Sequence, residues 1–202
     1  MKLTKELTGY YFGLFSVLLM IIVMTTVALL NPNYIIFYHI VSLLGVWSGK
    51  EIFNSFIIIT GILQIPFFEL LRRNLKRVKE IKSIVRNSAF LSGIIFCLSE
   101  IGAGVFPINS YIDSAHGRIA FLFFHSALFT ILLFCIVLLH DSNKRVPAYS
   151  GFIVVLLIVN FQFWRGGFFE WIALLSIYFW IGITSIYFIK ELKKSPLKTP
   201  EK

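Results

Sequence analysis

Six long apolar runs, nearly free of charge, recur along the chain with short polar stretches between them. The spans drawn from this pattern are Gly9–Leu30, Glu51–Leu71, Asn87–Val105, Arg118–His140, Ala148–Trp164 and Phe169–Ile189. Each is close to the roughly 20 residues that a helix needs to cross hydrocarbon. Backbone polar groups in lipid must pair within the segment, and these runs are too long and continuous for barrel strands. The pattern predicts an all-α polytopic membrane protein. One six-helix domain covers residues 1–190, and a basic tail, 191–202, is expected to be disordered. Gly9–Leu30 exceeds the roughly 7–15 apolar residues of a signal-peptide core, so it reads as a retained first span.

The connections differ in kind. Asn31-Pro32-Asn33 stops the first run. The stretch that follows, Tyr34 to Gly49, carries no acid or base except His39, and it holds Tyr34, Tyr38 and Trp47. A loop this apolar is expected to lie in the membrane interface or to re-enter the bundle as a cap. Arg72–Arg86 is a basic loop with Leu75, Val78 and Ile81 at helical spacing, suited to an anionic lipid surface.

Charge orients the picture. Sixteen of nineteen Lys and Arg residues precede the first run or follow the second, fourth and sixth. Basic residues stay on the cytoplasmic side, so both termini are expected there, in a cell membrane. Only Lys50, Arg118 and Arg165 fall at the opposite turns, where they are candidate partners of Glu51, Asp113 and Glu170. The net charge of +9 is accounted for by insertion, and no nucleic-acid partner is expected. With 57% apolar and 14% charged residues, against about 25% charged in ordinary globular chains, little of the protein lies outside the bilayer. Mean hydropathy is +0.82. The phenylalanine excess reads as lipid-facing bulk. Cys97 and Cys135 lie at different depths, roughly 12 and 27 Å from the outer ends of their helices, so no disulfide joins them.

Ionisable residues inside a membrane are costly and mark candidate sites. Most gather in the outer half. Glu100 lies roughly 7 Å below the outer end of the third span, and His125 roughly 12 Å below that of the fourth. Glu100 shares a small-residue face with Gly93, Cys97 and Gly104, which packs on a neighbour. Glu51 and Asn54 open the second span, and Asp113, His116 and Arg118 lead into the fourth. Arg165 closes the fifth, Glu170 begins the sixth, and His39 sits in the cap. His116, His125 and Glu100 are the candidate acid–base groups. No paired histidines at i, i+4, matched haem ligands or phosphate loop are present, so neither metal nor cofactor is expected.

Three segments in order, IVSLLGVWSGKEIFNSFIIITGIL at 40–63, GVFPINSYIDSAHGRIAFLFF at 104–124 and GGFFEWIALLSIYFW at 166–180, carry a resemblance. Together the chain resembles the archaeal and bacterial membrane family known as domain of unknown function 998. It is distantly similar to the eukaryotic DRAM and GPI-lipid-remodelling membrane proteins. The resemblance implies about six spans and keeps Ser42, Gly45, Asn54, Gly61, Gly104, Phe106, Pro107, His116, Ala120 and Glu170. It departs at Leu43 and Asn109, where the family has Asp, and at Trp171, where it has Arg. It implies no reaction.

Three functional readings stay open. The leading one is an outward-facing polar pocket that binds or processes a lipid or other amphiphile, with Ser42, Asn109 and the residues above around it. The others are a non-enzymatic scaffold or partner subunit, and a small transporter. Oligomeric state and enzymatic activity are not legible in the residues.

Overall fold

The computed structural model describes residues 2–75, 83–108, 113–141, 144–164 and 166–194. Six helices account for most of them: α1 (Lys2–Leu29), α2 (Lys50–Asn74), α3 (Ser83–Val105), α4 (Asp113–Leu139), α5 (Arg145–Phe163) and α6 (Gly167–Lys194). No strand occurs among the described residues. All six helices are long and apolar enough to cross a membrane, which makes the chain a multi-pass membrane protein in architecture. α6 continues to Lys194, past the expected end at Ile189, so the first residues of the predicted tail are helical. Residues 76–82, which include Val78 and Ile81 of the basic loop, lie outside the described residues.

Each helix packs on its neighbours in sequence, and α6 closes the ring against α1. One end of the bundle carries the segment 31–49; the other carries the basic loops. They are called the capped end and the basic end below. α6 is the most buried helix and α5 the least.

The core is aromatic. Phe67, Phe68, Phe96, Phe134, Phe188, Tyr10, Tyr178 and Trp180 are fully buried. Phe68 stacks on Phe134 with centroids 6.1 Å apart, and Tyr10 stacks on Phe188 at 5.0 Å. Phe53, Phe123 and Phe124 are buried too, so eight of the 22 phenylalanines serve the core, while the other fourteen keep partial or full exposure on the outside of the bundle. Rings fill the bundle axis because they bury large area, and edge-to-face pairs add to it. Cys97 and Cys135 are buried and unbridged.

Segment 31–49 folds down as a cap. Asn31 ends α1 by donating to the Val27 carbonyl at 2.7 Å. It also pairs with Ser48 in both directions, at 2.9 and 3.0 Å, which closes the loop on itself. A short 3-10 helix, Val41–Gly45, buries Val41 and Leu44 against α1, α2 and α6. Gly49 starts α2 at φ 84°, a left-handed geometry suited to glycine. Gly167 lets α6 press directly on the backbone of Tyr38 and His39, where any side chain would collide. Phe37 sits at φ 68°, an unfavourable angle for a phenylalanine. Its ring packs edge-on against Phe168 and Trp171 at 5.9 and 6.0 Å.

Candidate functional site

Beneath the cap lies a cavity of about 70 Å³. Glu100, His116, Ser42, Asn54, Glu170 and Tyr178 supply its polar lining. The cavity is wide enough for a few waters or a small polar group. A wider vestibule of about 270 Å³ adjoins it and shares Ser42, His116, Ala120, Phe124 and Glu170. The vestibule runs between α4 and α5, past Gly117, Phe121, Phe161 and Gln162.

Glu100 is placed by close helix packing. Gly104, one turn along α3, has room for no side chain, because a Cβ would stand 2.6 Å from the Asn54 carbonyl of α2. That approach brings the carboxyl to α2. Thr60 Oγ1 and Tyr178 OH each lie 2.6 Å from Glu100 Oε1 and donate to it. Carboxyl hydrogen bonds this short are among the stronger ones in proteins. Oε2 has no protein partner, although the residue is only 2% exposed. Gln64 stands beside the carboxyl, but its amide reaches no partner at hydrogen-bond distance. The α3 small-residue face thus carries Glu100 to the interface of α2, α3 and α6.

His116 is equally open. Its Nδ1 lies 2.8 Å from the Phe106 carbonyl. A carbonyl oxygen only accepts, so Nδ1 carries the proton and Nε2 is the acceptor of the neutral ring. Nε2 has no partner, and the residue is 8% exposed. Among the described residues lining the cavity and the vestibule there is no Lys or Arg.

Glu170 has a different geometry. Its Oε1 accepts from Ser42 Oγ at 3.2 Å, and the carboxyl faces the backbone of Val41 and Ser42. Val41 and Ser42 open the 3-10 helix, where free N–H groups favour an anion. Next to it, Trp171 donates from Nε1 towards Tyr34 OH at 3.1 Å and the His39 carbonyl at 3.2 Å. Tyr34 OH in turn reaches the carbonyls of His39 and Ile40. Burial pushes the Tyr34 phenol up to about 12. Asn54 holds the far end of the 3-10 helix by donating to the Gly45 carbonyl at 2.9 Å. The cap is therefore bolted at three places, and two of the bolts also line the cavity.

The other predicted residues part company with this cluster. His125 does not join Glu100 and His116. It lies off the cavity, bonded to the Phe121 carbonyl of its own helix and stacked on the Phe121 ring at 3.7 Å. A helix turns about 100° per residue, and nine residues put the two histidines on opposite faces of α4. His39 accepts from the Ile35 amide and packs among Tyr34, Tyr38 and Trp47, a role internal to the cap. Glu51 is exposed and stands 4.0 Å from exposed Lys50, beside an open groove that includes Asn54. Arg118 is exposed on α4. Asn109 and Arg165 lie outside the described residues, as does the side chain of Asp113, which opens α4. No group of three or more metal-ligating side chains occurs among the described residues.

Thr60, Gln64, Tyr178 and Trp171 were not among the candidates drawn from sequence. Thr60 and Gln64, four apart in an apolar run, carry a detectable signal, because uncharged polar groups in membrane helices seek partners across the interface. Tyr178 and Trp171 look like ordinary aromatics until the fold sets them against Glu100 and the cap.

At the basic end, Glu69 binds Arg72 at 2.8 Å and Arg73 at 2.5 Å. Arg72 also lies over the Phe90 ring, and Arg86 reaches the Leu75 carbonyl. These described members of the basic loop are engaged within the protein.

Comparison of the chain with protein-family models, with curated proteins and with solved structures gives no match. The fold and the lining residues define a six-helix multi-pass membrane protein with a capped polar cavity.

Proposed function

We propose that the chain binds the headgroup of a lipid or other amphiphile in the cavity beneath the cap, with the tail leaving through the vestibule between α4 and α5. One observation carries this reading. Two acceptor atoms, Glu100 Oε2 and His116 Nε2, stand buried and unpartnered beside a cavity that continues into an apolar vestibule. Buried polar groups are almost always hydrogen-bonded, so a ligand or water with donors belongs there. The vestibule walls, Phe121, Phe124 and Phe161, suit an acyl chain. In this reading the cap faces the outside of a cell membrane and the termini are cytoplasmic, in keeping with the basic loops at the opposite end. Membrane lipid is then both solvent and ligand.

The resemblance to the family of domain 998 supports the same site. Of its kept positions, Ser42, Asn54, Pro107, His116, Ala120 and Glu170 all line the cavity. The Phe106 carbonyl orients His116. Membership of that family is proposed on this convergence.

The test is native mass spectrometry of the full chain purified in mild detergent. The wild type and His125→Ala retain a bound lipid, whereas Glu100→Gln and His116→Ala lose it while still melting cooperatively. Equal retention in all four proteins would overturn the reading.

A further inference from the structure

The buried side-chain atoms that line the cavity without a protein partner share one property: they are acceptors. Glu100 Oε2 has no partner, and its Oε1 is already occupied by Thr60 and Tyr178. His116 Nε2 has no partner, and in the neutral ring, with Nδ1 committed to the Phe106 carbonyl, it offers a lone pair. Glu170 adds a second carboxyl, which Ser42 Oγ and the facing backbone of Val41 and Ser42 occupy in part, leaving lone pairs of its about four towards the cavity. Asn54 spends one of its two amide N–H donors on the Gly45 carbonyl, which leaves a single neutral N–H on this side of the lining. No Lys or Arg lines either space among the described residues. A phosphate, sulfate or carboxylate placed here would meet two carboxyls and no cation.

From this set we infer that the cavity selects an ammonium headgroup. This deepens the proposed amphiphile reading and rests on it. A primary ammonium presents three donors, and the cavity presents three acceptor groups, Glu100, His116 and Glu170. A hydroxyl presents one donor and no charge. Hydrogen bonds in which one partner is charged are roughly twice as strong as neutral ones, so the amine gains most from this lining. The rings of Phe123, Phe124 and Tyr178 complete the wall, and a cation over an aromatic face gains further when it is desolvated. The acceptor atoms come from α3, α4 and α6, so they converge only in the folded bundle.

Isothermal titration of the full chain in maltoside micelles, corrected for empty micelles, separates the possibilities. The probes are dodecylamine, dodecanol, dodecyl sulfate and ethylamine. Dodecylamine is expected to bind at least about tenfold more tightly than dodecanol or dodecyl sulfate. Glu100→Gln should abolish that preference. Glu170→Gln, which keeps an acceptor for Ser42, should reduce it, and it serves as the second variant if Glu100→Gln does not fold. Equal affinity for dodecylamine and dodecanol would overturn the ammonium inference and leave the amphiphile reading standing. Equal affinity for ethylamine and dodecylamine would support the ammonium and overturn the amphiphile. Binding of none of the four would overturn both.

Discussion

The two ends of the bundle handle charged and polar side chains in opposite ways. At the basic end the ion pairs are close in sequence. Glu69 pairs with Arg72 and Arg73 one turn away, and Lys144 pairs with Asp141 at 2.8 Å across a three-residue step. At the capped end the pairs that hold the carboxyls and tie the cap to α6 are far apart in sequence. Ser42 meets Glu170, Thr60 and Tyr178 meet Glu100, and Trp171 meets Tyr34. The basic-end ion pairs answer one charge with another, while Glu100 and His116 keep open valences. Short-range pairs secure helix ends wherever the chain emerges. Long-range groups with spare acceptors need the whole fold to assemble them, and that is the signature of a site.

Predictions that separate the two ends begin with the largest. Trp171→Ala removes a buried ring and two hydrogen bonds to the cap. It should cost about 3–5 kcal/mol, read as a fall in thermal midpoint in detergent. A change within the scatter of surface variants would mean that the cap is not bolted through α6. Glu100→Gln should weaken headgroup binding by roughly tenfold or more, whereas Glu69→Gln at the basic end should leave binding untouched. If both variants lose binding alike, the contrast between the ends fails. Gly117→Trp is directed at the vestibule alone. A Cβ at Gly117 meets nothing within 4 Å, so the ring should enter the open space and slow ligand uptake without lowering the midpoint. Unchanged uptake would place the portal elsewhere.

The smallest effect is on pH. The Tyr34 phenol is raised from 10.0 to about 12 in the fold by burial. Its protonated form is thus favoured by folding, and its contribution is fully present below pH 10. That contribution is lost as pH rises through about 12. Tyr34→Phe should remove this alkaline step from the midpoint-versus-pH curve, and an identical curve would count against Tyr34 as a pH-sensitive tie.

Much of the architecture was legible because its cause is local. Six charge-poor runs of bilayer length make six helices, and Asn31-Pro32 ends the first. The apolar character of residues 34–49 announced a cap. Glu100 stood out because a carboxyl on a small-residue face needs a partner. The identity of that partner was hidden, since Thr60 and Tyr178 lie 40 and 78 residues away. His125 was grouped with His116 for its depth, although nine residues place the two on opposite faces of α4. Its depth suits a site, but its side of α4 does not. Which eight phenylalanines would be buried was hidden for a related reason, since lipid and protein interior are equally apolar and hydropathy cannot tell the two faces apart.

One carboxyl oxygen is shared by two helices while the carboxyl itself belongs to a third. Whatever sits on the opposite oxygen becomes part of the joint between α2, α3 and α6, so occupancy and assembly are a single equilibrium. An occupant at a hundred times its dissociation constant would add about 2.7 kcal/mol to the bundle. If that occupant is the proposed lipid, delipidation during purification is a structural operation. The midpoint of a freshly stripped sample reports how full the joint is as much as how well the chain is folded.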